Sequence, residues 1–112
     1  MNQKNNIGPI EPEDYPTLLA LNNHFREETS LLAEDRWREL VETAFLACKF
    51  GESLGFLLTF ASDQPFANTN FEWFKQRFEN FVYVDRIVVS AQAQGTGAGR
   101  ALYEHLFEQA RS

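Results

Sequence analysis

Apolar positions recur along this chain with two different periods. Leu18, Leu21 and Phe25 stand at i, i+3 and i+7, which is one face of a helix. Ahead of them, Glu11-Pro12-Glu13-Asp14-Tyr15-Pro16 suits a first turn, where acidic residues and proline belong. Asn22-Asn23 interrupts the good helix formers there. A second helical pattern places Trp37, Leu40, Val41 and Ala44 on one side and Glu34, Asp35, Arg38, Glu39 and Glu42 largely on the other. The period then changes. Phe45 to Phe50, Gly51-Glu52-Ser53, and Leu54 to Ala61 predict two strands around a tight turn. Ile7 to Ile10 predicts a short edge strand, and Phe71, Phe74 and Phe78 return to helical spacing. Phe81 to Val89 is β-branched and aromatic, nearly continuous in apolarity at its end, and predicts a strong strand. A glycine-rich stretch, Ser90 to Arg100, leads into a helix whose apolar members are Ala101, Leu102, Tyr103, Leu106, Phe107 and Ala110. A buried strand that runs through a glycine-rich turn into a helix marks an α/β fold.

Composition narrows the class. With 112 residues the chain has room for one domain, and its 44% hydrophobic content excludes a disordered tail. The formal net charge of −6 and the lack of any Lys/Arg run argue against nucleic acid as a partner, since phosphate neutralisation needs clustered basic side chains. An anionic ligand must therefore be held by backbone N–H groups or a few side chains. Cys48 is the single cysteine, so neither an internal disulfide nor a zinc cluster is expected; in its apolar stretch it reads as a buried, inert thiol. No apolar run is long enough to span a bilayer, and the polar N-terminus is no secretory signal, so a reduced, cytoplasmic protein without membrane partners is expected.

The chemistry concentrates between residues 90 and 100. A helix N-terminus carries free N–H groups and a partial positive charge, and closely spaced glycines let the backbone curl around a phosphate. Gly95, Gly97 and Gly99 sit at such a junction. A P-loop reading fails because Arg100-Ala101 follows Gly99, without the lysine and magnesium-binding hydroxyl. A dinucleotide-binding G-x-G-x-x-G reading fails too: its third glycine falls on Arg100 or Leu102, depending on the start. The pattern that fits is Q/R-x-x-G-x-G/A, met by Gln94-x-x-Gly97-x-Gly99.

The wider stretch, Tyr83-Val84-Asp85-Arg86-Ile87-Val88-Val89 through Gln94-Gly95-Thr96-Gly97-Ala98-Gly99-Arg100-Ala101-Leu102, resembles motif A of the GNAT superfamily of N-acetyltransferases. Asn70 to Phe74 together with Phe81 to Val89 further resembles a bacterial subgroup of predicted GNAT acetyltransferases. The resemblance covers the whole chain, and motif A carries nearly all of its specificity. It implies an α/β, GNAT-like mixed and mostly antiparallel sheet flanked by helices. It also implies that residues 1–112 form the N-terminal portion of a single domain truncated before its last strands. The implied ligand is acetyl-CoA, without a metal. Its pyrophosphate would rest on Gly95, Thr96, Gly97, Ala98, Gly99 and Arg100 beside Gln94, and its pantetheine arm would pair with Ile87, Val88 and Val89. The implied reaction is direct attack by a primary amine of a small molecule or peptide, and folds of this kind often form homodimers.

Other roles stay open between alternatives. Alternation places Tyr83, Asp85, Ile87 and Val89 on one strand face. Asp85 is the only carboxylate of that strand; it either takes a proton, directly or through water, or holds the substrate ammonium, or else forms an ion pair, and Tyr83 either assists or is half-buried packing. Asn22 and Asn23 either bind substrate, at a helical break beside the acceptor site, or satisfy that break locally. Arg100 either reaches a CoA phosphate or solvates the first helical turn. His24 and His105 lack metal-ligand spacing. Phe66, Phe71, Trp73, Phe74, Phe78 and Phe81 form either a lid over the acceptor pocket or core padding, and a helical aromatic stripe favours padding. Glu27, Glu28, Glu34 and Glu39 read as a solvated face. Two competing functions remain beside the enzyme: a non-catalytic acyl-CoA-binding or interaction module on the same scaffold, and an unrelated phosphate-binding α/β domain.

Overall fold

The computed structural model of the chain describes residues 6–25, 32–66 and 68–111; Glu27 and Glu28 lie outside them. The element order is β1 (Ile7–Pro9), a 3-10 turn (Pro12–Asp14), α1 (Tyr15–His24), α2 (Glu34–Thr43), β2 (Leu46–Phe50), β3 (Gly55–Ala61), α3 (Thr69–Arg77), β4 (Val82–Val89) and α4 (Ala98–Ala110). That is the order the hydrophobic pattern predicts. The strands form one sheet in sequential order, and every neighbouring pair is antiparallel. Among the described residues the sheet thus contains no parallel pair, and its edges are β1 and β4.

Helices cover both faces, so the central strand must be apolar on both sides. In β3 every residue from Gly55 to Phe60 is buried. Phe56, Leu58 and Phe60 pack toward α1, α2 and α3, together with Leu18, Trp37, Leu40, Val41, Phe66 and Phe71. Leu57 points the other way, toward Ala98, Ala101, Leu102 and Leu106 of α4 and toward Cys48 and Phe50. Trp37, Leu40 and Val41 are the i, i+3, i+4 stripe read from the sequence, and burying each such side chain stabilises the fold by roughly 1.5–3 kcal/mol.

At the β2–β3 turn, Gly51 and Ser53 both have left-handed backbones, with φ of 60° and 66°. Ser53 offsets its strain by donating its hydroxyl to Asp14 Oδ1 (3.3 Å), and Lys49 Nζ reaches both oxygens of the same carboxylate (2.9 and 2.8 Å). Asp14 also accepts the Glu11 N–H (2.9 Å), so one buried carboxylate ties the start of α1 to β2 and the turn.

Strict alternation fails along β4. Leu58 pairs with Arg86 while the next residue of β3, Thr59, pairs with Val84, which leaves Asp85 as an extra residue in a β-bulge. The bulge reverses the phase of the strand. Tyr83 and Val88 pack on the α1/α2/α3 side, whereas Val82, Val84, Ile87 and Val89 pack toward α4. Tyr83 and Asp85 therefore do not share a face with Ile87 and Val89, contrary to the alternation expected from the sequence.

Candidate functional site

The glycine loop leaves the end of β4 and enters α4. Ser90 N–H donates to Leu54 O (2.8 Å), and Ser90 O accepts the N–H of both Ala93 and Gln94 (3.0 and 3.1 Å), which closes the first turn of the loop. Ala93 is buried, whereas Gln94, Gly95, Thr96 and Gly97 are exposed. Gly95 and Gly97 have φ of 84° and 90°, a region that side chains with a Cβ rarely occupy. A Cβ on Gly95, Gly97 or Gly99 would meet nothing within 4 Å, so the loop has open space over its backbone.

Helix α4 begins at Ala98, earlier than the sequence pattern suggests, with Gly97 as its N-cap. The Ala101 N–H makes the first bond of the ladder, to Gly97 O (2.9 Å). The N–H groups of Ala98, Gly99 and Arg100 precede that ladder and give the helix start a partial positive charge. Ala98 seats this turn by burying its methyl against the sheet. Arg100 pairs with Glu104 (3.0 Å), and its side chain is 85% exposed, so the pair adds little to stability. Gln94 Nε2 turns back to Val89 O (3.2 Å).

The register decides which backbone groups of β4 face outward. The Ser90–Leu54 bond sets the parity of an antiparallel ladder: Val88 exchanges bonds with Phe56, while Val89 and Ile87 lie opposite Gly55 and Leu57 in non-bonded pairs. The N–H and C=O of Ile87 and Val89 thus point to the free edge. Val88, expected from the resemblance to share that edge, instead spends its backbone groups on β3.

A buried polar network lies on the α1/α3 side of β4. Asp85 Oδ2 accepts from Arg86 Nε at 2.7 Å, with both side chains under 10% exposed. Neighbouring side chains on a regular strand point apart, and the bulge is what lets these two meet. Asp85 Oδ1 accepts from Asn68 Nδ2 (3.4 Å), while Asn68 Oδ1 caps α3 by accepting the Phe71 N–H (2.7 Å). Arg86 Nη1 donates to Asn22 Oδ1 (3.0 Å), and Asn22 Nδ2 donates to Asn23 Oδ1 (3.0 Å). Asn23 completes the chain with a two-way bond to the backbone of Leu32 (3.1 and 2.9 Å). Asn22 and Asn23 sit within α1, which continues to His24, so no helical break falls at them. Asn22 is fully buried.

The aromatic segment divides. Phe66 and Phe71 are buried, and Phe66 stacks on Phe60 at 4.0 Å between ring centroids. Trp73, Phe74 and Phe78 are exposed. Phe74 and Phe78 line an apolar groove of about 450 Å³ along the start of β4, with Phe81, Tyr83 and Val84. Tyr83 is half-buried among Phe66, Phe71 and Phe74. Cys48 is buried, and burial pushes its thiol up to about 12, far from a reactive thiolate. His24 is exposed and stacks edge-on against Phe25. Among the described residues, no group of three His, Cys, Asp or Glu side chains could hold a metal ion. No described helix is long and apolar enough to cross a membrane.

No curated protein and no solved structure shows a significant match to the chain. The model of the acetyltransferase (GNAT) family, by contrast, matches residues 9–112, from the end of β1 through α4. That span includes the strand, the left-handed glycine loop and the helix start described above, and the chain belongs to the GNAT acetyltransferase family.

Proposed function

We propose that the chain binds acetyl-CoA on the loop Gln94–Arg100 and transfers its acetyl group to a primary amine of a small molecule or peptide. The observation that carries this reading is the exposed pair of left-handed glycines, Gly95 and Gly97, opening into the free N–H groups of Ala98, Gly99 and Arg100. Neutral amides and a helix dipole can hold a pyrophosphate in a chain of net charge −6 where a basic patch is lacking. The pantetheine arm would run along the edge of β4 and exchange hydrogen bonds with Ile87 and Val89. One outward N–H there would polarise the thioester carbonyl and stabilise the developing oxyanion. The amine nitrogen attacks the carbonyl carbon, the C–N bond forms, and the C–S bond breaks. The amine loses a proton and the departing thiolate gains one. No covalent enzyme intermediate is needed.

A second reading, a non-catalytic acyl-CoA-binding module, draws support from Asp85. The only carboxylate of β4 is committed to Arg86 and Asn68. Calorimetric titration of acetyl-CoA into the chain, with Gly97→Glu alongside, tests the common premise. Saturable binding that Gly97→Glu abolishes supports the loop assignment, and equal binding by both proteins refutes it. Release of free CoA thiol in the presence of primary amines separates enzyme from binding module. Light scattering on the same samples tests for the homodimer that such folds often form.

A further inference from the structure

The Asp85–Arg86 pair has a different logic from that of a proton acceptor. A base must bring its oxygen within hydrogen-bond reach of the proton it removes. Both Asp85 oxygens already have donors, Arg86 Nε at 2.7 Å and Asn68 Nδ2 at 3.4 Å, and the side chain is 6% exposed. The pair also stands at a structural junction. It occupies the bulge of β4, directly before Ile87, whose backbone groups face outward. Through Arg86 it holds Asn22 of α1, and through Asn22 and Asn23 the backbone of Leu32 ahead of α2. Through Asn68 it holds the N-terminus of α3. Three segments are thus fastened to the strand at one point.

Burying two opposite charges next to each other is not a strong source of stability by itself, because desolvation offsets much of their attraction. What the arrangement does supply is geometry. Arg86 donates from two different nitrogens in two directions, which a guanidinium fork can do and a lysine ammonium reproduces poorly.

We infer that Arg86 is a positioning residue of the acyl-transfer site: paired with Asp85 in the bulge and bonded to Asn22, it fixes α1 and the start of α3 against β4 and sets the outward N–H groups of Ile87 and Val89. Asp85 serves that pair and does not take the amine proton. The inference rests on the acetyltransferase reading for its catalytic part, and on the geometry alone for its structural part.

The test compares the wild-type chain with Asp85→Asn, Arg86→Gln, the double variant, and Arg86→Lys. Urea denaturation reads stability, amide hydrogen exchange at Val88 reads the β3–β4 pairing that leaves Ile87 and Val89 outward, and calorimetry reads acetyl-CoA affinity. Turnover is measured with acetyl-CoA and whichever amine the wild type acetylates fastest from a set of aliphatic and aromatic primary amines. Each single neutral variant leaves a buried charge unpaired, and its unfolding equilibrium should shift by roughly a hundredfold or more. The double variant, which keeps amide-to-amide hydrogen bonding, should recover at least about tenfold of that, because coupled residues are not additive. It should also restore slow exchange at Val88, whose N–H is bonded to Phe56, and raise kcat about tenfold above the single variants. Arg86→Lys keeps the charge and should fold, yet exchange faster at Val88. Additive stability losses, or unchanged exchange at Val88 in every variant, would overturn the positioning role. In Asp85→Asn, a kcat loss of roughly a hundredfold or more with wild-type exchange at Val88 and intact acetyl-CoA affinity would make Asp85 the proton acceptor and also overturn it. If the wild type acetylates no amine, the acetyltransferase reading fails by itself, and the stability and exchange results still decide the positioning claim.

Discussion

A single methyl group placed on Gly97 or on Gly99 should have opposite effects on the fold. Gly97 is the N-cap of α4 with φ 90° and ψ 10°. A Cβ there would meet no atom within 4 Å, so the cost of Gly97→Ala comes from the backbone alone, about 1–2 kcal/mol for a left-handed conformation. Gly99 lies inside α4, its φ is not positive, and a Cβ there also meets open space. Gly99→Ala removes backbone freedom from the unfolded chain and should gain up to about 1 kcal/mol. For a domain of this size, each kcal/mol moves the thermal midpoint by about 4 °C. Urea and thermal denaturation should therefore place Gly97→Ala below wild type and Gly99→Ala at or above it. Binding follows a separate logic. Stabilities of about 5–15 kcal/mol leave Gly97→Ala overwhelmingly folded, so calorimetry with acetyl-CoA reads the site and not the fold. The methyl of Gly97→Ala projects into the space over the loop that a pyrophosphate would enter, and affinity should fall by about tenfold or more. Gly99→Ala, which still satisfies the Q/R-x-x-G-x-G/A pattern, should bind within a few-fold of wild type. Two results would refute the reasoning: wild-type affinity in Gly97→Ala, which removes the phosphate from this loop, or equal stability of the two variants, which removes the strain argument.

Three further outcomes follow from other parts of the fold. A Cβ on Gly55 would lie 2.9 Å from Val88 O and 3.4 Å from Val89 Cα, both on the backbone of the paired strand; Gly55→Ala should cost about 1–3 kcal/mol in urea denaturation, and a neutral result would mean that β3 and β4 separate freely. Cys48, raised by burial from 9.0 to about 12, should expose about a thousandfold less thiolate than an ordinary thiol; a disulfide-exchange reagent at mildly alkaline pH should label it only after unfolding, and rapid labelling of the native chain would contradict its burial. At Asp14, burial opposes ionisation, but the Lys49 hydrogen bond and charge, the Glu11 N–H and the Ser53 hydroxyl outweigh it and hold the carboxyl below its ordinary 3.8. A depressed carboxylate contributes its stability above the unfolded value and loses it as pH falls through the folded value. Asp14→Asn should thus be less stable by about 2 kcal/mol at neutral pH, with the gap closing below pH 3.8, and a gap independent of pH would refute the assignment.

Much of this architecture is legible without coordinates, and the features that are legible share a cause. The apolar stripe of Trp37, Leu40 and Val41, the continuous apolar run of β3 and the glycines between a strand and a helix are local patterns, whose meaning depends on residues a few positions away. The antiparallel pairing of β2 with β3 follows from the tight turn between them, which leaves the chain too short to return any other way. The glycine loop belongs to the same group, because left-handed backbone is a requirement that glycine meets at any position.

Tertiary structure decided the rest. The bulge at Asp85 depends on how β4 registers against Leu58 and Thr59, some 26 residues earlier in the chain, and no feature of the strand's own sequence announces it. Once the bulge is in place, Asp85 and Arg86 share a face, Val88 turns its backbone inward, and Ile87 and Val89 keep the free edge. Asn22 and Asn23, read as an interruption, are helical because Arg86, 64 positions away, and the backbone of Leu32 supply the partners that amide side chains otherwise seek from their own backbone. The aromatic segment divides between core and surface because α3 can bury only the face turned toward the sheet, so Phe71 packs while Trp73, Phe74 and Phe78 remain exposed. Periodicity determines which residues seek burial; cross-strand register and long-range hydrogen bonding determine which of them obtain it, and with what partners.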